Sequence, residues 1–161
     1  MKAIGIINVA LGGLYIIMNI IGLLIIYIEK MIFSSISDAS FNQYMPFDMG
    51  SYMSDIFKMM LINLPFSLII YGMLLFSGIK ILKKDEAGIR LTKVSSWTII
   101  VWFFVSMSYS FLTLSHYFES FTGSNAFMVV MLIFGGIIGF IFTCGYPIFL
   151  LIYFKKPRQF N

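Results

Sequence analysis

Few side chains in this sequence have the types and spacing needed for catalysis or metal binding. The only histidine, His116, is followed three residues later by Glu119, so a helix would place both on one face. One imidazole and one carboxylate are too few for a metal site or a catalytic set, and allow at most a surface contact or a mild pH effect. The single cysteine, Cys144, can form no intrachain disulfide, and we interpret it as a small packing residue.

A methionine series is the other candidate for chemistry. Met45, Met49 and Met53 recur every four residues, and thioether sulfur is a ligand that selects Cu(I). Methionine is also a common flexible packing residue, and no histidine or cysteine accompanies these three. We therefore expect packing rather than copper binding, and we predict no enzyme activity, no cofactor and no metal.

Small and polar residues recur every three or four positions inside long apolar runs, which places each series on one helix face. The first run carries Gly5, Asn8, Gly12, Tyr15, Asn19 and Gly22. The later runs carry Asn63, Ser67, Tyr71 and Gly78, then Ser95, Thr98, Trp102, Ser106, Tyr109 and Thr113, then Gly135, Gly139 and Thr143. Such faces either pack helices together or line a cavity at the axis of a bundle.

The elements that must position these faces are four long apolar runs. They cover about residues 3–28, 59–82, 94–114 and 126–154, within a chain that is 60% hydrophobic and 11% charged. A spanning helix needs about 20 apolar residues, and runs of this length are too uniform for strands of a membrane barrel. The sequence predicts an all-α membrane protein, a four-helix transmembrane bundle forming one integral membrane domain over residues 1–161.

The basic residues predict how this bundle is oriented. Nine of the Lys and Arg residues fall at the two termini and in the connection near 83–93, and only Lys30 and Lys58 fall on the other side. Because Lys and Arg accumulate on the cytoplasmic side, we expect both termini in the cytoplasm, and the inner membrane if the protein is bacterial. The +4 net charge then needs no nucleic-acid partner, although the basic clusters could hold anionic lipids.

The connections carry three further expectations. The loop at residues 29–58 is semi-apolar, which predicts an interfacial segment or a cap over the bundle. Ser51 or Ser54 could cap the start of the second helix. Asp85 is predicted to cap the third helix.

The leading functional interpretation is an accessory or structural membrane protein that acts by contact with lipid, with a protein partner or with another copy. One alternative is a passive channel or transporter for a small neutral or apolar solute, lined by Asn8, Asn19, Asn63, Ser106 and Tyr109. Another is an enzyme that modifies lipids at the membrane surface, using Asp38, Asp48 and His116.

The architecture resembles that of the small drug–proton antiporters, which are four-helix proteins of similar size. That family depends on a carboxylate in its first helix, and the first apolar run here has none. The sequence therefore departs from the family at the residue on which proton coupling depends.

Overall fold

The computed structural model describes residues 1–35, 49–122 and 125–155, whose regular structure is helical. Helix α1 covers Lys2–Ser35, α2 covers Met49–Leu82, α3 covers Ala87–Thr122 and α4 covers Asn125–Tyr153. Each of the four contains a stretch long and apolar enough to cross a membrane. The prediction of four spanning-length helices is confirmed.

The helices extend beyond the predicted spans at the end of the bundle where α1 stops and α2 starts. Helix α1 continues to Ser35, and α2 begins at Met49 rather than near residue 59. An apolar run marks only the stretch that suits hydrocarbon, whereas a helix can continue into water with polar residues on its surface. Part of the predicted loop is therefore helical, and residues 36–48 lie outside the described part of the chain.

The prediction that Ser51 or Ser54 caps α2 is wrong, because both lie inside that helix.

Helix α2 packs against α1 and α3, and α3 packs against α4. The α1–α2 contact is closest at glycines. A Cβ atom added to Gly78 would lie 2.6 Å from the carbonyl oxygen of Gly5, and one added to Gly12 would lie 2.8 Å from the amide nitrogen of Leu75. The two backbones approach this closely because neither glycine carries a side chain.

The start of α1, the α2–α3 turn and the end of α4 gather at one end of the bundle. Ile4, Ile81 and Phe154 are each less than one-tenth exposed and belong to one apolar cluster. We call this the basic end, because it carries the described cationic side chains Lys2, Lys80, Lys83, Lys84, Arg90, Lys93 and Lys155. The opposite end is called the distal end.

The α2–α3 turn is held by hydrogen bonds at both helix ends. The amide of Asp85 donates to the Lys80 carbonyl and that of Lys84 to the Ile81 carbonyl, which is a Schellman ending with Lys84 at a positive φ of 59°. The Asp85 carboxylate accepts from the Ala87 amide at 2.8 Å and lies 3.0 Å from the Lys80 ammonium. Asp85 caps α3 as predicted.

Candidate functional site

Two polar features lie along the bundle axis, one near the basic end and one near mid-length. The first is a set of four side chains, one from each helix, which we call the Asn8 hub: Asn8, Ser77, Thr92 and Tyr146. Asn8 Nδ2 donates to Ser77 Oγ at 3.0 Å and to Thr92 Oγ1 at 3.2 Å, and the Tyr146 hydroxyl donates to Asn8 Oδ1 at 2.6 Å. All the hydrogen-bonding groups of the Asn8 amide are therefore satisfied.

In the Asn8 hub, each of the two hydroxyls that accept a hydrogen bond from Asn8 donates its own proton to a backbone carbonyl. The Ser77 hydroxyl donates to the Leu74 carbonyl at 2.6 Å and the Thr92 hydroxyl to the Gly88 carbonyl at 2.8 Å, which leaves both oxygens free to accept from Asn8. Asn8, Ser77 and Thr92 are fully buried. A buried amide without partners would be costly, so this arrangement fixes how the four helices sit against one another.

The second feature is a cavity of about 340 Å³, which we call the bundle cavity. All four helices contribute to its lining, which consists of Tyr15, Asn19, Ser67, Ile70, Tyr71, Ile99, Trp102, Phe103, Ser106, Met107 and Thr143. Tyr15, Ser67, Trp102 and Thr143 each lie near the middle of the spanning stretch of their own helix. The bundle cavity therefore lies near the middle of the four spanning-length stretches.

Buried side chains fill the axis between the Asn8 hub and the bundle cavity. Leu74 and Ser96 lie about one turn from the hub residues of their own helices, Cys144 lies two residues before Tyr146 in α4, and all three are at most 2% exposed. The packed layer separates the bundle cavity from the basic end.

The lining of the bundle cavity combines aromatic rings with uncharged polar groups. The rings of Tyr15 and Tyr71 stack with centroids 4.5 Å apart and planes inclined by 9°, and Trp102 stacks on Phe66 at 4.5 Å. Asn19 Nδ2 donates to the Tyr15 carbonyl at 2.7 Å, and the Tyr15 hydroxyl donates to the Phe142 carbonyl at 3.2 Å. The Tyr15 bond crosses from α1 to α4 beside the cavity.

Other polar groups of the lining have no hydrogen bond within the described part of the chain. These are the hydroxyls of Ser67, Tyr71, Ser106 and Thr143 and the indole nitrogen of Trp102. Polar groups away from bulk water normally find a hydrogen-bond partner, so these five groups are available to a molecule in the cavity.

A third polar cluster lies at the distal end. The Asp55 carboxylate accepts from the Tyr117 hydroxyl at 2.9 Å and pairs with the Lys58 ammonium at 2.9 Å. The Tyr52 ring meets Tyr117 edge-on at 5.1 Å, and Lys30 Nζ lies 4.9 Å from the Phe57 ring centre. These contacts tie α1, α2 and α3 together beyond the apolar stretches.

The residues singled out from the sequence fall into four groups: the hub, the cavity lining, the glycines, and two residues outside these sites. Asn8 belongs to the hub, while Tyr15, Asn19 and Ser106 line the bundle cavity. The glycines divide between close packing and open space. Hypothetical Cβ atoms on Gly5, Gly12, Gly22 and Gly139 would lie 2.9, 2.8, 3.2 and 3.4 Å from a neighbouring helix, whereas one on Gly135 meets no atom within 4 Å.

Asn63 and Tyr109 are half-buried and lie outside the cavity lining. Three residues of the Asn8 hub are missing from the sequence-based set: Ser77, Thr92 and Tyr146. Thr92 could have been found, because Gly88, Thr92 and Ser95 continue the polar face of α3 past Lys93 at spacings of four and three. The charge of Lys93 ends the apolar run and so conceals that continuation.

Asp38, Asp48 and the side chains of His116, Glu119 and Met49 lie outside the described part of the structure. Within the described residues, no group of three or more His, Cys, Asp or Glu side chains could hold a metal ion.

Comparison with protein-family models, with curated proteins and with solved structures found no match to this chain.

Proposed function

We propose that this chain is a non-enzymatic, four-span membrane protein that acts as an accessory subunit, through contact with lipid, with a protein partner or with another copy. Under this proposal the bundle cavity holds a small molecule dissolved in the bilayer. The observation that supports a bound molecule is an uncharged cavity of about 340 Å³ near the middle of the four spanning-length stretches. Secondary transporters commonly hold their substrates near the bilayer midplane, so a site at this depth can be reached by a small molecule in the membrane. The basic end faces the cytoplasm under this proposal, with anionic headgroups around its cationic side chains.

Access from the bilayer is favoured by how the helices pair. Helix α1 packs against α2, α2 against α3, and α3 against α4, whereas the hydrogen bonds of Tyr15 and Tyr146 join α1 to α4. The outward faces of α1 and α4 carry exposed side chains such as Ile17 and Ile138, which suit lipid. A molecule in the bilayer would therefore reach the cavity between α1 and α4.

The two tryptophans provide a direct test. Trp102 lines the bundle cavity, whereas Trp97 is 60% exposed on the outside of α3. In the Trp97→Phe protein, Trp102 is the one tryptophan left, so the fluorescence measured in lipid vesicles comes from the cavity alone. We expect doxyl-labelled nonane, a small neutral quencher that dissolves in the bilayer, to quench Trp102 more strongly than water-soluble acrylamide does.

A filled cavity should remove this effect. Ser106→Phe, made in the Trp97→Phe protein, puts a ring into the cavity and should protect Trp102 from doxyl-nonane. Ser108→Phe is the matched control, because Ser108 is exposed on the outer face of α3. Equal quenching in both variants would contradict the proposal.

A passive channel for a small neutral solute remains the second candidate, because Asn19 and Ser106 both line the cavity. Its difficulty is the buried layer of Leu74, Ser96 and Cys144, beyond which lies the Asn8 hub. Vesicle swelling in glycerol or urea separates the two functions. We expect the same rate as in empty vesicles, and a faster rate would favour the channel.

A further inference from the structure

We propose that the occupant of the bundle cavity is a neutral, compact ring compound that carries at least one carbonyl or hydroxyl oxygen, and that the Tyr71 hydroxyl binds this oxygen. The inference rests on the proposed function and specifies the chemical class of the molecule. Charge, hydrogen bonding and shape each restrict that class.

The absence of charged side chains from the cavity lining argues against an ionic ligand. None of the lining residues is Asp, Glu, Lys, Arg or His. An ion at mid-depth of a membrane needs an opposite charge or a set of dipoles to replace its hydration, because its transfer from water to an apolar medium is very costly. The cavity is therefore suited to a neutral molecule.

The hydroxyl groups in the cavity lining argue against a plain hydrocarbon chain as the ligand. Tyr71 and Ser67, one turn apart on α2, have hydroxyls without a hydrogen bond in the described residues, and Ser106 faces the same cavity from α3. An acyl chain would leave these groups unsatisfied in a medium that offers no other partner. An occupant with an oxygen atom satisfies at least one of them, and a hydroxyl oxygen can both accept and donate.

Shape favours a ring over a long flexible molecule. The nearly parallel Tyr15 and Tyr71 rings and the Trp102 and Phe103 side chains give the cavity aromatic walls. A volume of about 340 Å³ is at the small end of the usual range for ligand sites. A single ring with a short tail fits this volume and can stack on aromatic walls, whereas a whole lipid molecule would not fit.

The experiment uses an alkylated benzoquinone, a neutral ring compound that itself quenches tryptophan. In vesicles containing the Trp97→Phe protein, we expect quenching of Trp102 to saturate as the quinone is added. In the Trp102→Phe protein, the lipid-facing Trp97 should show only quenching in proportion to the quinone dissolved in the bilayer. Saturation therefore reports a site rather than partitioning.

Two non-quenching competitors test the need for an oxygen atom. An alkylcyclohexanone should reverse the saturable quenching, whereas an alkylcyclohexane with the same chain should not. Tyr71→Phe keeps the aromatic wall and removes the hydroxyl, so the quinone concentration for half-saturation should rise about threefold to tenfold, the range expected for the loss of one hydrogen bond. Tyr109→Phe, a hydroxyl deletion outside the cavity lining, should leave that concentration unchanged.

Equal competition by the two cyclic compounds, or no change in Tyr71→Phe, would overturn the inference. If doxyl-nonane still quenches Trp102 in a way that Ser106→Phe blocks, the proposed function survives and only the ligand class is wrong. If acrylamide is the effective quencher and no saturation occurs, the cavity holds water and both proposals fail.

Discussion

At the scale of single residues, Asn8 joins all four helices. It makes three side-chain hydrogen bonds, one to each of the other three helices. Hydrogen bonds between membrane helices are worth about 0.6 kcal/mol each on average, so Asn8→Leu should lower the free energy of unfolding by about 2 kcal/mol. Unfolding in mixed micelles with increasing dodecyl sulfate would measure this loss.

The matched control is Asn63→Leu, the same change at a half-buried position outside the Asn8 hub. We expect that variant to unfold close to the unmodified protein. A loss in Asn63→Leu as large as that in Asn8→Leu would show that the hydrogen bonds of the hub are not the cause.

The second residue-scale prediction concerns acid sensitivity at Asp85. The Ala87 amide, and after it the Lys80 ammonium, hold the pKa of the Asp85 carboxyl below its ordinary value. Because the folded pKa is the lower one, the stabilisation is complete above the ordinary aspartate pKa and is lost as the pH falls through the folded value. Asp85→Asn should cap α3 without this acid-dependent step. A carboxyl carbon titration by NMR would measure the pKa, and a value at or above that of a free aspartate would contradict the assignment.

At the scale of the elements, glycine determines how closely α1 and α2 approach. A Cβ atom on Gly78 would lie 2.6 Å from the Gly5 carbonyl oxygen and 2.8 Å from the Val9 amide nitrogen, both backbone atoms that cannot move aside alone. Gly78→Ala should therefore push the helices apart and cost about 1–3 kcal/mol of stability. Gly72→Ala, on the same helix, meets no atom within 4 Å and should be neutral or slightly stabilising. The reverse order of stabilities, measured by unfolding in mixed micelles, would contradict this account.

The α2–α3 turn gives a second element-scale prediction. Lys84 adopts φ 59°, a left-handed conformation that costs a side-chain-bearing residue about 1 kcal/mol more than glycine. Lys84→Gly should stabilise the turn by up to about 1 kcal/mol, whereas Lys83→Gly should destabilise it. Both variants remove one positive charge, so a difference in thermal unfolding temperature reports the backbone effect alone.

At the scale of the whole molecule, the positions of the basic residues predict both termini in the cytoplasm. Cys144→Ser gives a protein without cysteine, into which Glu86→Cys or Glu29→Cys can be introduced at opposite ends. In intact cells, a membrane-impermeant maleimide should label Cys at position 29 and spare that at position 86. The opposite pattern would reverse the orientation, and labelling of both would indicate a mixed topology.

The sequence was sufficient to predict the four spans, because the length of apolar helix needed to cross a bilayer is a strong signal. It also placed Asn8, Gly12 and Asn19 on one face of α1. It could not separate their roles, because the Asn8 hub and the bundle cavity differ only in depth along the axis, and depth depends on the register between helices. Ser77, Thr92 and Tyr146 become partners of Asn8 only when four distant segments meet. The extensions to Ser35 and Met49 were missed because polar residues in a helix beyond the membrane resemble those of a loop.

The fully buried hub residues at the basic end imply a gradient of backbone opening along the bundle. Amides near Asn8, Ser77 and Thr92 lie in its best-packed part, whereas α1 and α4 are linked at mid-length by a single hydrogen bond from Tyr15. Local opening needs less free energy where fewer buried contacts are broken. Hydrogen–deuterium exchange should therefore be slowest beside the hub and faster on the cavity side of α1 and α4. Under the proposed function, the distal halves of these two helices would separate to admit a molecule while the basic end stays folded.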